Sequence, residues 1–189
     1  MSVLPSLDRR ILAIALPSIV SNITVPLLGL VDVAVTGHMG ADGDTVGALP
    51  ASYYVGAIAV GGMLFNIIYW MFGFLRMGTG GETAQAWGRR DLDGVVLLLV
   101  RSLLLALVLA LVLMALSPFV RDGALWYIAP EAEVASLART YFNICIWGAV
   151  PALGLFAMNG WYIGMQNSRF PMIVAIGQNL LNIACSIFF

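Results

Sequence analysis

The chain has 189 residues, of which 61% are hydrophobic and only 10% charged, with a mean hydropathy of +0.95. A soluble domain carries charge on about a quarter of its residues, so this composition excludes one and specifies an integral membrane protein. Net charge is -1, and the nine basic residues, all Arg, are scattered, which excludes a basic surface for nucleic acid.

Five apolar segments follow one another, at residues 11–36, 46–78, 95–120, 134–165 and 171–189. Each is long enough to cross a bilayer as a helix, and none alternates with the period of two that a barrel strand needs. The expected class is therefore all-α, a bundle of five transmembrane helices. The first segment has no cleavage signature of a secretory leader and is expected to stay in the mature protein.

In the first segment Asp32 is the only acid between Ile11 and Thr36. A carboxylate in lipid costs several kcal/mol unless it faces protein or water, so Asp32 is a candidate functional group. Ser21 and Asp32 share a helical face with Asn22 beside them, which makes a polar stripe. At 1.5 Å per residue Asp32 lies about 31 Å from Ile11, near the far edge of a hydrocarbon core about 30 Å thick. A residue at the membrane surface therefore stays open as the alternative to one in an internal cavity. Pro17 and Pro26 delete backbone donors and predict kinks in this helix, as Pro151 does in the fourth.

The second segment sets Gly62, Asn66, Tyr69 and Gly73 on one face. The glycines are expected to let helices approach closely, and Asn66 and Tyr69 either pack or line a cavity. The stretch that follows, Arg76 to Asp91, holds Gly78, Gly80 and Gly81 and predicts a flexible break, with Arg76 and Glu82 paired. A phosphate loop is disfavoured, because no Lys occurs and no strand precedes the glycines.

The fourth segment places Asn159, Tyr162 and Gln166 on one side, and the fifth places Gln178, Asn182 and Ser186 on one side with Asn179 adjacent. So many amides are too costly for lipid exposure, so the fifth helix must face protein or water. Spacing leaves open whether these groups line a site or bond between helices.

Arg9 and Arg10, Arg89 and Arg90, and Arg169 fall on one side of the alternating segments. The positive-inside rule makes that side cytoplasmic, with the N-terminus inside. His38, the sole histidine, lies in an outer loop, and no nucleophile, base and orienting group can be assembled, so an enzyme is not expected. Cys145 and Cys185 lie in apolar runs without metal-ligand spacing, and no metal or cofactor is expected.

The motifs in order resemble the multidrug and toxic compound extrusion (MATE) family, and most closely its DNA-damage-inducible (DinF-like) branch. They are Leu16-Pro17 with Val31-Asp32-Val33-Ala34-Val35-Thr36-Gly37-His38, Gly73-Phe74-Leu75-Arg76-Met77-Gly78-Thr79, and Thr83-Ala84-Gln85-Ala86-Trp87-Gly88. Gly160-Trp161, Gly164-Met165-Gln166, Arg169-Phe170-Pro171 and Asn179-Leu180-Leu181-Asn182 continue the series. The resemblance implies twelve helices in two six-helix lobes around alternately opening cavities. Residues 1–189 would then be part of the N-terminal lobe, its five helices ending inside an apolar run at Phe188 and Phe189, with the C-terminal lobe of the same polypeptide as a partner.

The resemblance further implies a multi-pass protein of the bacterial cytoplasmic membrane. It would export amphipathic or cationic organic compounds in exchange for H+ or Na+, its partners being the small-molecule substrate and membrane lipid. Asp32 matches the family's first-helix acid and Asn182 an asparagine of the same ion-coupling site, while Ser186 stands where many relatives carry a second acid. Asn22, Asn66, Tyr69, Asn159, Gln178 and Asn179 are the expected cavity-lining residues. Two other readings are a lipid or lipid-linked precursor flippase of the same superfamily, which would need several inward Arg residues, and a non-transporting membrane scaffold.

Overall fold

The computed structural model describes Ile19 and residues 50–188, which form helices joined by short turns. Helix α1, Ala51–Met71, continues after Phe72 as α2, Gly73–Gly88. Helix α3 runs Leu92–Ile128. Helix α4, Ala132–Cys145, passes through a 3-10 turn, Ile146–Gly148, into α5, Ala149–Gly164, and α6 is Arg169–Phe188. No strand occurs among the described residues.

Among the described residues three spans, Ser52–Gly88, Leu92–Ile128 and Ala132–Gly164, are long and apolar enough to cross a membrane. The helical, membrane-spanning class expected from composition holds, because only a helix closes all its backbone hydrogen bonds within one segment in lipid. Helix α3 is 37 residues long, about 55 Å, against a bilayer about 40–45 Å thick with its headgroups. Tilt or projection must take up the difference.

The expected flexible break at Gly78, Gly80 and Gly81 is corrected, since all three lie inside α2 and the helix runs on to Gly88. The interruption comes earlier, at Phe72, where the Phe72 N–H reaches Ile68 O at 3.4 Å and Leu75 N–H donates to Phe72 O at 3.0 Å. A second interruption, the 3-10 turn at Ile146–Gly148, directly precedes Pro151. Proline cannot donate to the carbonyl four residues back, and its ring crowds that carbonyl at Trp147, so the chain tightens there. Pro118 inside α3 leaves the Met114 carbonyl without its usual donor, and the Ser117 hydroxyl supplies one at 2.7 Å. Pro17 and Pro26 lie outside the described residues.

Two turns share one construction. After α2, Arg90 adopts φ 59°, its N–H donates to Trp87 O, and Asp91 N–H donates to Ala86 O. After α5, Gln166 adopts φ 60°, its N–H donates to Ile163 O, and Asn167 N–H donates to Tyr162 O. Both are Schellman caps with a non-glycine residue in the left-handed position. Gln166 therefore sits in a turn, off the helical face it was expected to share with Asn159 and Tyr162. Asp91 then caps α3 by accepting Gly94 N–H at 2.9 Å, which starts that helix earlier than the apolar pattern shows.

The packing falls into tiers. Ala57, Leu125 and Ala138 join α1, α3 and α4 at one end. Leu64, Phe65, Ile68, Leu113, Phe142 and Ile146 come next, with Phe65 and Phe142 stacked at 4.9 Å between centroids. Leu75, Ala106, Ala110, Leu153 and Ala157 follow, joining α2, α3 and α5. Phe72 touches both of the last two clusters, so the interruption in the first span lies at the boundary between tiers.

Beyond them α2 and α5 come within backbone contact. A Cβ on Gly160 would strike the Arg76 carbonyl, one on Gly164 would lie 2.7 Å from Gly80 O and from Thr83 Cβ, and one on Gly80 would lie 3.3 Å from Gly160 O. Gly160 and Gly164 form a GxxxG pair, the spacing that lets two helices approach this closely. By contrast Gly62 and Gly73, the glycines expected to serve close approach, meet nothing within 4 Å, while Gly61 lies under the Tyr141 ring. Trp161 Nε1 donates to Val95 O at 2.9 Å and ties α5 to the start of α3.

Two stability outcomes follow. Gly160→Ala is expected to cost about 1–3 kcal/mol through overpacking, and Gly62→Ala to be neutral or stabilising by up to about 1 kcal/mol, read by thermal unfolding in detergent. Thr83 is fully buried against this seam and its Oγ1 has no hydrogen-bond partner among the described residues. Thr83→Val should accordingly be neutral or stabilising by about 1 kcal/mol in the same melt.

Candidate functional site

Asp32 and Asn22 lie outside the described residues. Asn66 is exposed on α1. Tyr69, one turn further along, is half-buried, stacked on Phe65 at 5.8 Å and edge-on to Phe156 at 6.3 Å between centroids. Its ring belongs to the apolar tier around Phe142. Asn159 is half-buried on α5, next to the fully packed Gly160.

On α6, Asn179 is buried while Gln178 and Asn182 are exposed, and Asn179 and Asn182 both make interactions. Ser186 lies in the last turn of α6. The helix is held to α5 at its start, where Phe170 stacks on Tyr162 at 5.2 Å and Tyr162 meets Trp161 edge-on at 5.0 Å.

Depths along the helices follow from the rise per residue. Asn66 and Tyr69 lie about 33 and 28 Å from Gly88, Asn159 about 8 Å from Gly164, and Asn179 and Asn182 about 15 and 20 Å from Arg169. The described polar residues thus form a ladder along the bundle. Between helices, Asn159 and Asn179 come nearest to a common level, and Tyr69 and Asn182 follow.

At the end bearing Arg121, that residue's Nε donates to Asp122 Oδ1 at 2.9 Å and its Nη2 to Oδ2 at 3.2 Å, while Nη1 donates to Asn143 on α4. Arg139 approaches the same carboxylate at 3.4 Å. These groups clamp α3 to α4 across the turn. Pairs this exposed add little to stability, because solvent screens them.

Sequence reasoning missed a groove of about 200 Å3 between α2 and α3 at the opposite end. Thr79 and Glu82 line it from α2, Arg101 and Ser102 from α3, and its apolar wall includes Phe74, Leu75 and Leu105. The expected pairing of Arg76 with Glu82 is corrected, since the two form no ion pair among the described residues. Six residues apart on a continuous helix they point in different directions, and Glu82 faces the groove. The available signal was Leu98, Arg101, Ser102 and Leu105, one helical face carrying a lone charge in an apolar run.

Tyr69 discriminates packing from a polar role. Tyr69→Phe is expected to leave the detergent melt unchanged, and Tyr69→Ala to destabilise by about 2 kcal/mol, half the usual cost of deleting a fully buried ring. A loss of transport in Tyr69→Phe with the melt intact assigns the hydroxyl to a cavity.

The MatE family model matches residues 17–188. The chain is 37% identical to the DNA damage-inducible protein F of Escherichia coli K12 over 187 residues, covering 99% of this chain and 39% of the relative. It is 26% identical to a probable multidrug resistance protein NorM of Bradyrhizobium diazoefficiens over 174 residues, covering 92% of the chain and 34% of that protein. A probable NorM of Thermotoga maritima is likewise 26% identical, over 95% of the chain and 36% of its own length. None of these names denotes an enzyme. No solved structure is significantly similar, and the chain spans less than half of the length of these relatives. With a family model covering nearly all of its residues and a close relative over 99% of its length, the chain belongs to the MatE family.

Proposed function

We propose that the protein containing this chain is an ion-coupled antiporter that exports amphipathic or cationic organic compounds across the bacterial cytoplasmic membrane by alternating access. The observation that carries this is the family match over residues 17–188, joined to relatives whose names denote multidrug resistance. Asp32, Asn182 and Ser186 form the coupling site for H+ or Na+, and Asn22, Asn66, Tyr69, Asn159, Gln178 and Asn179 line the path of the compound. A second lobe supplied by the rest of the polypeptide completes the cavity.

Burial penalises the charged form of a carboxylate, so one acid in a partly dry cavity exchanges its proton as the cavity opens to either side. With Ser186 in place of a second acid, Asp32 carries the titration alone. The buried Asn179 on α6 supports a polar interior. The orientation draws support from the bundle. Contact of Gly164 with Thr83 and the Trp161 bond to Val95 set the Arg89–Arg90 turn and the Arg169 turn at one end, as a cytoplasmic face enriched in arginine requires.

Efflux of a fluorescent cation by the full-length protein in proteoliposomes tests the reading, with a proton or a sodium gradient imposed separately. Asp32→Asn is expected to reduce efflux to that of empty vesicles under whichever gradient drives the parent. Undiminished efflux by the variant overturns the role of Asp32, and no efflux by the parent under either gradient overturns the antiporter reading.

A further inference from the structure

The groove between α2 and α3 belongs to neither the coupling site nor the path proposed above. We infer that it is a binding site for the headgroup of an aminophospholipid of the phosphatidylethanolamine type, with Arg101 taking the phosphate and Glu82 the ammonium.

Depth is the first support. A helix about 55 Å long, centred in a bilayer about 40–45 Å thick, projects roughly 6 Å at each end. The headgroup layer then covers roughly the next 6 Å. Glu82 lies about 9 Å from the end of α2, inside that layer, and Arg101 about 14 Å from the start of α3, at its inner boundary. Trp87, 41% exposed, stands at the same end, as an interfacial tryptophan does.

Order is the second. In an aminophospholipid the phosphate is attached on the glycerol side and the ammonium lies beyond it, so the phosphate sits deeper. Counted along the helices, the Arg101 backbone lies about 5 Å deeper than that of Glu82. Thr79 and Ser102, both buried in the groove wall, lie between charge and hydrocarbon, and Phe74, Leu75 and Leu105 extend toward the bilayer centre, where acyl chains begin. The groove therefore runs from charged to apolar in the direction a lipid does.

Surroundings are the third. Helix α3 is the most apolar of the three spans, and Leu97, Val100, Leu104 and Val108 stay exposed along it. Glu82 and Arg101 form no ion pair with any described residue, so both charges are available at a volume of about 200 Å3. An anionic lipid would satisfy Arg101 and leave Glu82 facing a like charge. A choline headgroup offers no N–H to the carboxylate. Only a zwitterion with a primary ammonium pairs both residues through charge-assisted hydrogen bonds.

The experiment uses full-length protein, delipidated in detergent, with thermal unfolding and native mass spectrometry read while phosphatidylethanolamine, phosphatidylcholine or phosphatidylglycerol of identical chains is added. The expected result is an order of phosphatidylethanolamine above phosphatidylglycerol above phosphatidylcholine, with affinities roughly fivefold or more apart across the series. Glu82→Gln should lose the preference for phosphatidylethanolamine over phosphatidylglycerol, and Arg101→Gln should lose the response to both. The exchange E82R/R101E swaps the two charges between the helices and should not restore the preference. Equal stabilisation of the parent by phosphatidylcholine and phosphatidylethanolamine overturns the inference without any variant. So does an unchanged lipid order in both single variants.

Discussion

Helices α2 and α5 touch backbone to backbone, and the rest of the described bundle takes its arrangement from that contact. Gly80, Gly160 and Gly164 remove the side chains that would hold the helices apart. In lipid the hydrophobic effect adds little between helices, so dispersion across a close seam and interhelical hydrogen bonds must hold them. With the seam closed, Leu75 and Leu153 meet in one cluster with Ala106 and Ala110 of α3, and Trp161 reaches the Val95 carbonyl. The same contact sets two turns at one end of the bundle, which fixes where the arginines of Arg89–Arg90 and Arg169 stand.

Much of the fold was legible because membrane spans are written in composition. Three of the expected segments correspond to the three described spans, and the ends differ where a cap decides them, as at Asp91. The misreading of Gly78, Gly80 and Gly81 has a specific origin. In water a glycine cluster weakens a helix through backbone entropy, whereas a seam that needs closeness rewards it, and one sequence cannot say which environment applies. Spacing alone chose Gly62 and Gly73 for close approach, and Gly160 with Gly164 were read only as part of a family motif.

The candidate site was legible in kind but not in assembly. Buried polar residues on spanning helices are visible as composition, yet whether Asn66, Tyr69 and Asn182 act together depends on relative rotation and depth of separate helices. Tyr69 shows the limit, since its half-buried ring packs among Phe65 and Phe156 while its hydroxyl remains a polar group. Arg101 stands as a single charge in an apolar helix, where its sequence neighbours give no sign of a site. Its meaning came from Glu82 on the helix across the groove.

The interruptions at Phe72 and at Ile146–Gly148 have a mechanical consequence. Ile146 and Phe72 belong to one cluster, so two of the three spans are broken at a shared depth, while α3 passes that level as one helix in which the Ser117 hydroxyl replaces the bond lost at Pro118. A column jointed on two of its members and continuous on the third resists stretching but yields to bending. The upper pair, α1 with α4, and the lower pair, α2 with α5, are two blocks on a leaf spring, and α3 is the spring.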